Sequence, residues 1–236
     1  MDRRKEIFAC LILFMMVCCA VAMPNAQALA SLDGWTNIYS GRTVIFVIGD
    51  SVPHGPWNIG ASAADSIAAV DIASVMPADA TTLTRLDTEV INEWYGGFPA
   101  IWHYDWKSGY TTQDIIMVGG PVVNSAFRKY NYLNAYSGPM CKWNYNTWAI
   151  QCSDGYSTTL ANRAFIAFAL DGSRQLLLVT GYTAFGTRAA GVILKYAYLY
   201  PSLMRGYCVV FVPIDNDGDG IFEVGESVLL LHQVGV

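Results

Sequence analysis

The chain alternates between continuous apolar runs and polar, glycine-rich breaks. The run 43–49 (TVIFVIG) has no polar face, as expected for a strand buried on both sides of a sheet. DIIMV at 114–118 has the same character and stops at Gly119-Gly120-Pro121. AFIAFAL (164–170) and RQLLLVT (174–180) read as two strands joined at Asp171-Gly172, a hairpin turn signal. YCVVFVP (207–213) and SVLLLHQV (227–234) read as the last two strands. A short strand is expected at 57–59, and a short strand or edge element within 80–92.

Two segments change period. Residues 63–76 place Ala, Ile, Val and Met at helical spacing with no Gly or Pro, and 187–198 (TRAAGVILKYAY) does the same ahead of Pro201. A weaker helix is expected around 122–134. Residues 94–111, rich in Trp, Tyr and Gly, read as irregular, and 135–160 as the least regular stretch. The spacing also repeats. Gly60 precedes Ser66 by six residues, with Ala68-Ala69 after it, and Gly181 precedes Thr187 by six, with Ala189-Ala190 after it. Small residues at those places let a helix lie close on a sheet after a tight turn. The fold expected is therefore α/β: a mixed, mainly parallel sheet with helices on its faces, plus an irregular aromatic insertion and a β-flanked loop.

The N-terminus has a different pattern. Arg3, Arg4 and Lys5 precede the apolar stretch 7–22, Pro24 follows, and Ala26-Gln27-Ala28 or Ala28-Leu29-Ala30 offers small residues for cleavage. Residues 1–30 thus read as a signal peptide or an N-terminal anchor, with membrane attachment through that segment left open. Residues 31–236 are expected to form a single domain. With 53% hydrophobic residues against 14% charged, this is no disordered chain. The formal net charge of -5, with basic residues scattered, excludes a nucleic-acid face.

Export bears on the cysteines. Cys141, Cys152 and Cys208 lie beyond residue 30. In an oxidising compartment Cys141–Cys152 is the obvious pairing, and it would stabilise the chain by about 2–3 kcal/mol. Cys208, within an apolar run, reads as a buried thiol, and the other pairings stay open.

The strongest candidate for chemistry is DNDGDGIFEVGE, residues 215–226. It fits D-x-[DN]-x-[DN]-G-x5-E throughout. Asp215, Asp217 and Asp219 occupy positions 1, 3 and 5, and Gly220 sits where the turn is sharp. Ile221 offers a carbonyl, Glu223 stands at position 9, and Glu226 at position 12 can bind with both oxygens. Hard oxygen ligands at this spacing wrap Ca²⁺, and β runs rather than helices flank the loop.

Catalytic signals are weaker. VIFVIGDSV (44–52) ends in Gly49-Asp50-Ser51, as GDSL-type esterases begin, which makes Ser51 a candidate nucleophile. Pro53 and Pro56 follow where a helix is required, and neither Asp-x-x-His near the C-terminus nor Gly-x-Asn-Asp occurs. The three histidines give no zinc spacing, and no phosphate loop is present. No catalytic residue is assigned. A secreted GDSL-like hydrolase remains an alternative, as does a calcium-dependent glycan-binding module using Trp94, Trp102 and Trp106, whose expected role is core packing.

Four stretches carry a resemblance: DIIMVGGPVVN (114–124), VTGYTAFGTRAAGVILKYA (179–197), NIGASAADSIAAVDIA (58–73) and LDTEV (86–90). Together they resemble the archaeal S-layer protein family. The chain departs from the family in being shorter than a typical member and in carrying the aromatic two-cysteine segment 135–152. The resemblance implies an extracellular, cell-surface structural protein without catalytic activity, in a lattice with itself or other surface-layer proteins.

Overall fold

The first apolar run after the N-terminal segment forms β1 (Thr43–Ile48), buried at every position after Thr43. The computed structural model describes residues 30–98, 101–132 and 141–236. The expected signal peptide or anchor, apart from Ala30, lies outside them, as do residues 133–140 of the aromatic insertion.

After β1 come α1 (Ala63–Ala73), β2 (Thr81–Leu86), a single turn α2 (Asp87–Val90), β3 (Ile91–Gly96), β4 (Ile101–Trp106), β5 (Asp114–Val118) and α3 (Ser125–Tyr132). The chain continues through β6 (Cys141–Trp143), β7 (Ile150–Cys152), β8 (Ser157–Thr158), β9 (Ala164–Asp171) and β10 (Arg174–Gly181). It closes with α4 (Ala184–Lys195), β11 (Cys208–Pro213) and β12 (Val228–Val234).

Seven strands form one sheet in the order β12-β11-β9-β10-β5-β1-β2. The α/β class and the mixed sheet are as expected, but the sheet is not mainly parallel. β2, β1, β5 and β10 run parallel, whereas β10–β9, β9–β11 and β11–β12 are antiparallel. The connections explain the split. The tight turn at Gly172 forces β9 and β10 antiparallel, while α1 carries the chain across from β1 to a parallel β2.

Alternate side chains of each strand serve two cores. One face, with Phe46, Val118, Phe168 and Val179, packs under α1 and α4. The other, with Val47, Met117, Phe165 and Leu178, is covered by α3, the β3–β4 hairpin and the small β6–β8 sheet. The two helices on the first face lie close because Gly191 has no side chain: a Cβ there would stand 2.7 Å from the Ala68 Cβ. Asp71 fastens them further through Arg188 and Lys195.

Several boundaries differ from expectation. Residues 94–111 are not wholly irregular, since β3 and β4 pair with Trp94 opposite His103 and Tyr95 opposite Trp102. The strand expected at 57–59 is a single bridge, His54 to Ile59. α4 begins at Ala184 rather than 187, because Thr183 caps it by accepting from the Gly186 N–H. Within 135–160, the described residues form a sheet pinned by the Cys141–Cys152 disulfide. Cys208 is a free, buried thiol, as expected, with its Sγ 2.9 Å from the Cys141 Sγ. Burial pushes its pKa upward. Among the described residues, no helix is long and apolar enough to cross a membrane.

Candidate functional site

The acidic loop joins β11 to β12 and is therefore flanked by strands. Its base closes where the Ile214 N–H donates to the Ser227 carbonyl. Phe222 is fully buried against Phe185 of α4 and anchors the loop to the first core. Gly220 takes φ +79°, which a residue with a side chain adopts at a cost, and its N–H donates to Asp215 at 2.9 Å. Ligand oxygens of Asp215, Asp217 and Asp219 lie within 4.8 Å of one another. Glu226 reaches across the loop, one oxygen accepting from the Asn216 N–H and the other from the Glu223 N–H, each at 2.8 Å. Ile221 and Glu223 are exposed, and among the described residues no contact joins the Glu223 carboxylate to the three aspartates. No Lys or Arg among the described residues forms an ion pair with any of the five acids. A set of convergent, unneutralised carboxylates fits a hard cation such as Ca²⁺.

Ser51 lies exposed after β1, and its surroundings are not those of a nucleophile. His54 donates through Nδ1 to the Val52 carbonyl at 2.9 Å and through Nε2 to Asp87 at 2.8 Å. Both partners only accept, so the ring is held as an imidazolium with no nitrogen left to take a proton from Ser51. Burial works against that charge, but the Val52 carbonyl and Asp87 outweigh it, and the pKa stands above the ordinary histidine value. Asp87 is itself fully buried and accepts from the Asp50, Thr88 and Ser125 N–H groups and from the Ser125 hydroxyl. Nearby, the Asn124 amide donates to the carbonyls of Val47 and Val118, tying the ends of β1 and β5, while its oxygen caps α3 at Phe127. The stretches around Gly49, Asp87 and Asn124 thus meet in one bonded cluster.

The hairpin tryptophans do not form one platform. By strand alternation Trp102 and Trp106 share a face and pack toward the second core, while Trp94 points the other way and stacks on His103 at 3.8 Å.

A different concavity opens at the C-terminal ends of the parallel strands. Its volume is about 470 Å³. The loops after β1, β5 and β10 supply its rim, and Trp57, Trp143, Trp148 and Tyr182 its aromatic walls. Ser62, Asp65, Thr183 and Thr187 give the polar groups. This is the switch point of the sheet: the chain leaves β1 for α1 on one face and β5 for α3 on the other, which opens a crevice between them. Asp65 is almost wholly buried and accepts from the Ser62 N–H. Burial raises its pKa above the ordinary carboxylate value, against the pull of bonds from Ser62 and Thr187. The Gly60 and Gly181 echo marks two of the rim turns. Trp57 and Trp148, 91 positions apart, carry no local signal that would bring them together.

No protein-family model matches the chain, and no curated protein does.

Proposed function

We propose that this is an exported, non-enzymatic structural protein of S-layer-like type, which assembles at the cell surface with copies of itself or with other surface-layer proteins. The observation that carries this reading is the state of the sheet's two ends. β12 and β2 each lack a further strand partner among the described residues. Both are poorly covered: Leu229 and Leu230 of β12 and Leu83 and Leu86 of β2 are exposed. On β2 the Leu86 N–H donates to Glu89 and the Thr84 carbonyl accepts from Arg85, exposed side chains that an incoming strand can displace, and a strand edge without a partner beside exposed leucines forms a template for another strand. Two such edges on opposite sides of one molecule favour head-to-tail contacts between copies.

The acidic loop belongs to the same edge. It leads directly into β12, and Ile221 and Val224 extend the exposed apolar surface. Asp215, Asp217, Asp219 and Glu226 would hold Ca²⁺, with the Ile221 carbonyl and Glu223 completing the set. The ion would neutralise charges that otherwise repel a neighbouring acidic copy. Electron microscopy of the purified protein tests this reading. Ordered arrays or filaments with calcium, dispersed by a chelator, are expected. Monomers under both conditions would overturn it.

A further inference from the structure

Three features of the cavity at the ends of β1, β5 and β10 point to a ligand. The first is backbone strain. Among the described residues, only Asn58, Trp148 and Asn162 have positive φ without being glycine, at 50°, 53° and 54°. Two of them belong to this cavity: Trp148 stands in its wall, and Asn58 lies between the lining residues Trp57 and Ile59. A left-handed tryptophan is a costly conformation, and such strain gathers where a side chain must be aimed. The second is unused donors. Neither the Trp57 nor the Trp148 indole N–H has a protein acceptor among the described residues, although their rings stand 5.9 Å apart. The third is location, the crevice at which open α/β sheets bind ligands.

The walls also select the ligand's charge. Arg128 lies over the Trp57 ring, and Arg163 over those of Trp143 and Tyr182, at 4.1 Å from the latter. Neither guanidinium lines the cavity, so each sits behind a wall. The attraction these rings would offer a cationic ligand is thus already engaged; Arg128 is neutralised by its ion pair with Glu93, while Arg163 has no ion-pair partner among the described residues and opposes a cation. An anion is opposed by the Asp65 carboxylate. What remains is a neutral molecule with apolar C–H faces for tilted indoles and hydroxyls for Ser62, Asp65, Thr183, Thr187 and the free indole N–H groups. A pyranose ring carries both kinds of surface, and about 470 Å³ accommodates it.

We propose that this cavity binds a neutral pyranose residue of a saccharide. The site is separate from the acidic loop, and its occupancy needs neither calcium nor assembly.

The test uses the intact chain in the presence of chelator. It is titrated with the methyl pyranosides of glucose, mannose, galactose and N-acetylglucosamine, and binding is followed by saturation-transfer NMR and by the indole N–H resonances. At least one glycoside is expected to saturate in the millimolar range and to shift the Trp57 and Trp148 signals, a readout that needs no variant. Trp148→Asn keeps a residue type that tolerates the left-handed backbone, and Trp57→Ala removes the opposing ring. Each should weaken binding by about tenfold or more, while Trp94→Ala on the hairpin leaves it unchanged. The proposal fails if no glycoside saturates, if the shifts miss both indoles, or if folded Trp57→Ala and Trp148→Asn bind as the parent does. It also fails if tetramethylammonium or inorganic phosphate occupies the cavity in place of the sugars.

Discussion

At the C-terminal ends of β1, β5 and β10, the loops are fixed by buried bonds between distant segments. Asp87 alone accepts from three backbone N–H groups, a hydroxyl and an imidazolium. At the opposite edge of the sheet, the β11–β12 loop keeps its five acidic side chains near solvent and satisfies several of them with its own backbone. The Asp87 cluster is set by the fold and is insulated from the medium. The acidic loop is a local structure whose charge depends on what the medium supplies. Buried polar groups must all be paired, which makes their geometry unique, whereas exposed acids gain definition only from a counter-ion.

The sharpest way to break this contrast is Asp87→Ala. It strands several buried donors and one imidazolium, and should cost about 3 kcal/mol or more in chemical denaturation. A loss below about 1 kcal/mol would mean that the cluster merely decorates the strand ends. Gly191→Ala comes next. Alanine favours a helix by about 1 kcal/mol, but the Cβ would press on Ala68, and overpacking of about 1–3 kcal/mol should prevail. A raised melting temperature would show that α1 and α4 can move apart.

At the acidic edge the effect is smaller and conditional. Calcium at tenfold excess over its dissociation constant should stabilise the chain by about 1.4 kcal/mol, and Asp215→Asn combined with Glu226→Gln should abolish that gain. Because Asp87 and its bonded partners share no described contact with the acidic loop, the calcium increment should persist in Asp87→Ala, and calorimetry of the four combinations measures this. Non-additivity would join what the structure separates.

The smallest effect is that of pH. The raised pKa of His54 means that its pairing with Asp87 contributes fully below about pH 6.5 and is lost as pH rises through the higher folded value. Asp50 and Glu93 also act on this ring, and Arg128 opposes its charge. Stability should therefore fall across that window, and His54→Gln should flatten the slope. A rise there in the parent chain would contradict the imidazolium assignment.

Strands buried on both faces were legible from sequence because their apolar runs are continuous, as in VIFVI and DIIMV. The β3–β4 hairpin was not. β4 alternates Trp102, Tyr104 and Trp106 with His103 and Asp105, but its partner β3 (INEWYG) shows no such alternation, and Gly96-Gly97 resembles a loop. The parallel share of the sheet was overestimated, because the two glycine–helix echoes outweighed the antiparallel hairpin already visible at Asp171-Gly172. The acidic loop could be read residue by residue, since its candidate ligands lie within twelve positions. Asp87 as a hub could not, because its partners at Asp50 and Ser125 stand 37 and 38 residues away. The left-handed backbone at Trp148 leaves no trace in residue type at all.

The sheet's two terminal strands constrain the shape of anything built from them. β-sheets twist with a fixed hand, each strand rotated from the last by about 20–25°. Copies added end to end through β12 and β2 would accumulate that rotation and grow as a helical ribbon. A flat layer therefore requires a second, chemically different contact, one that turns each added subunit back into the plane.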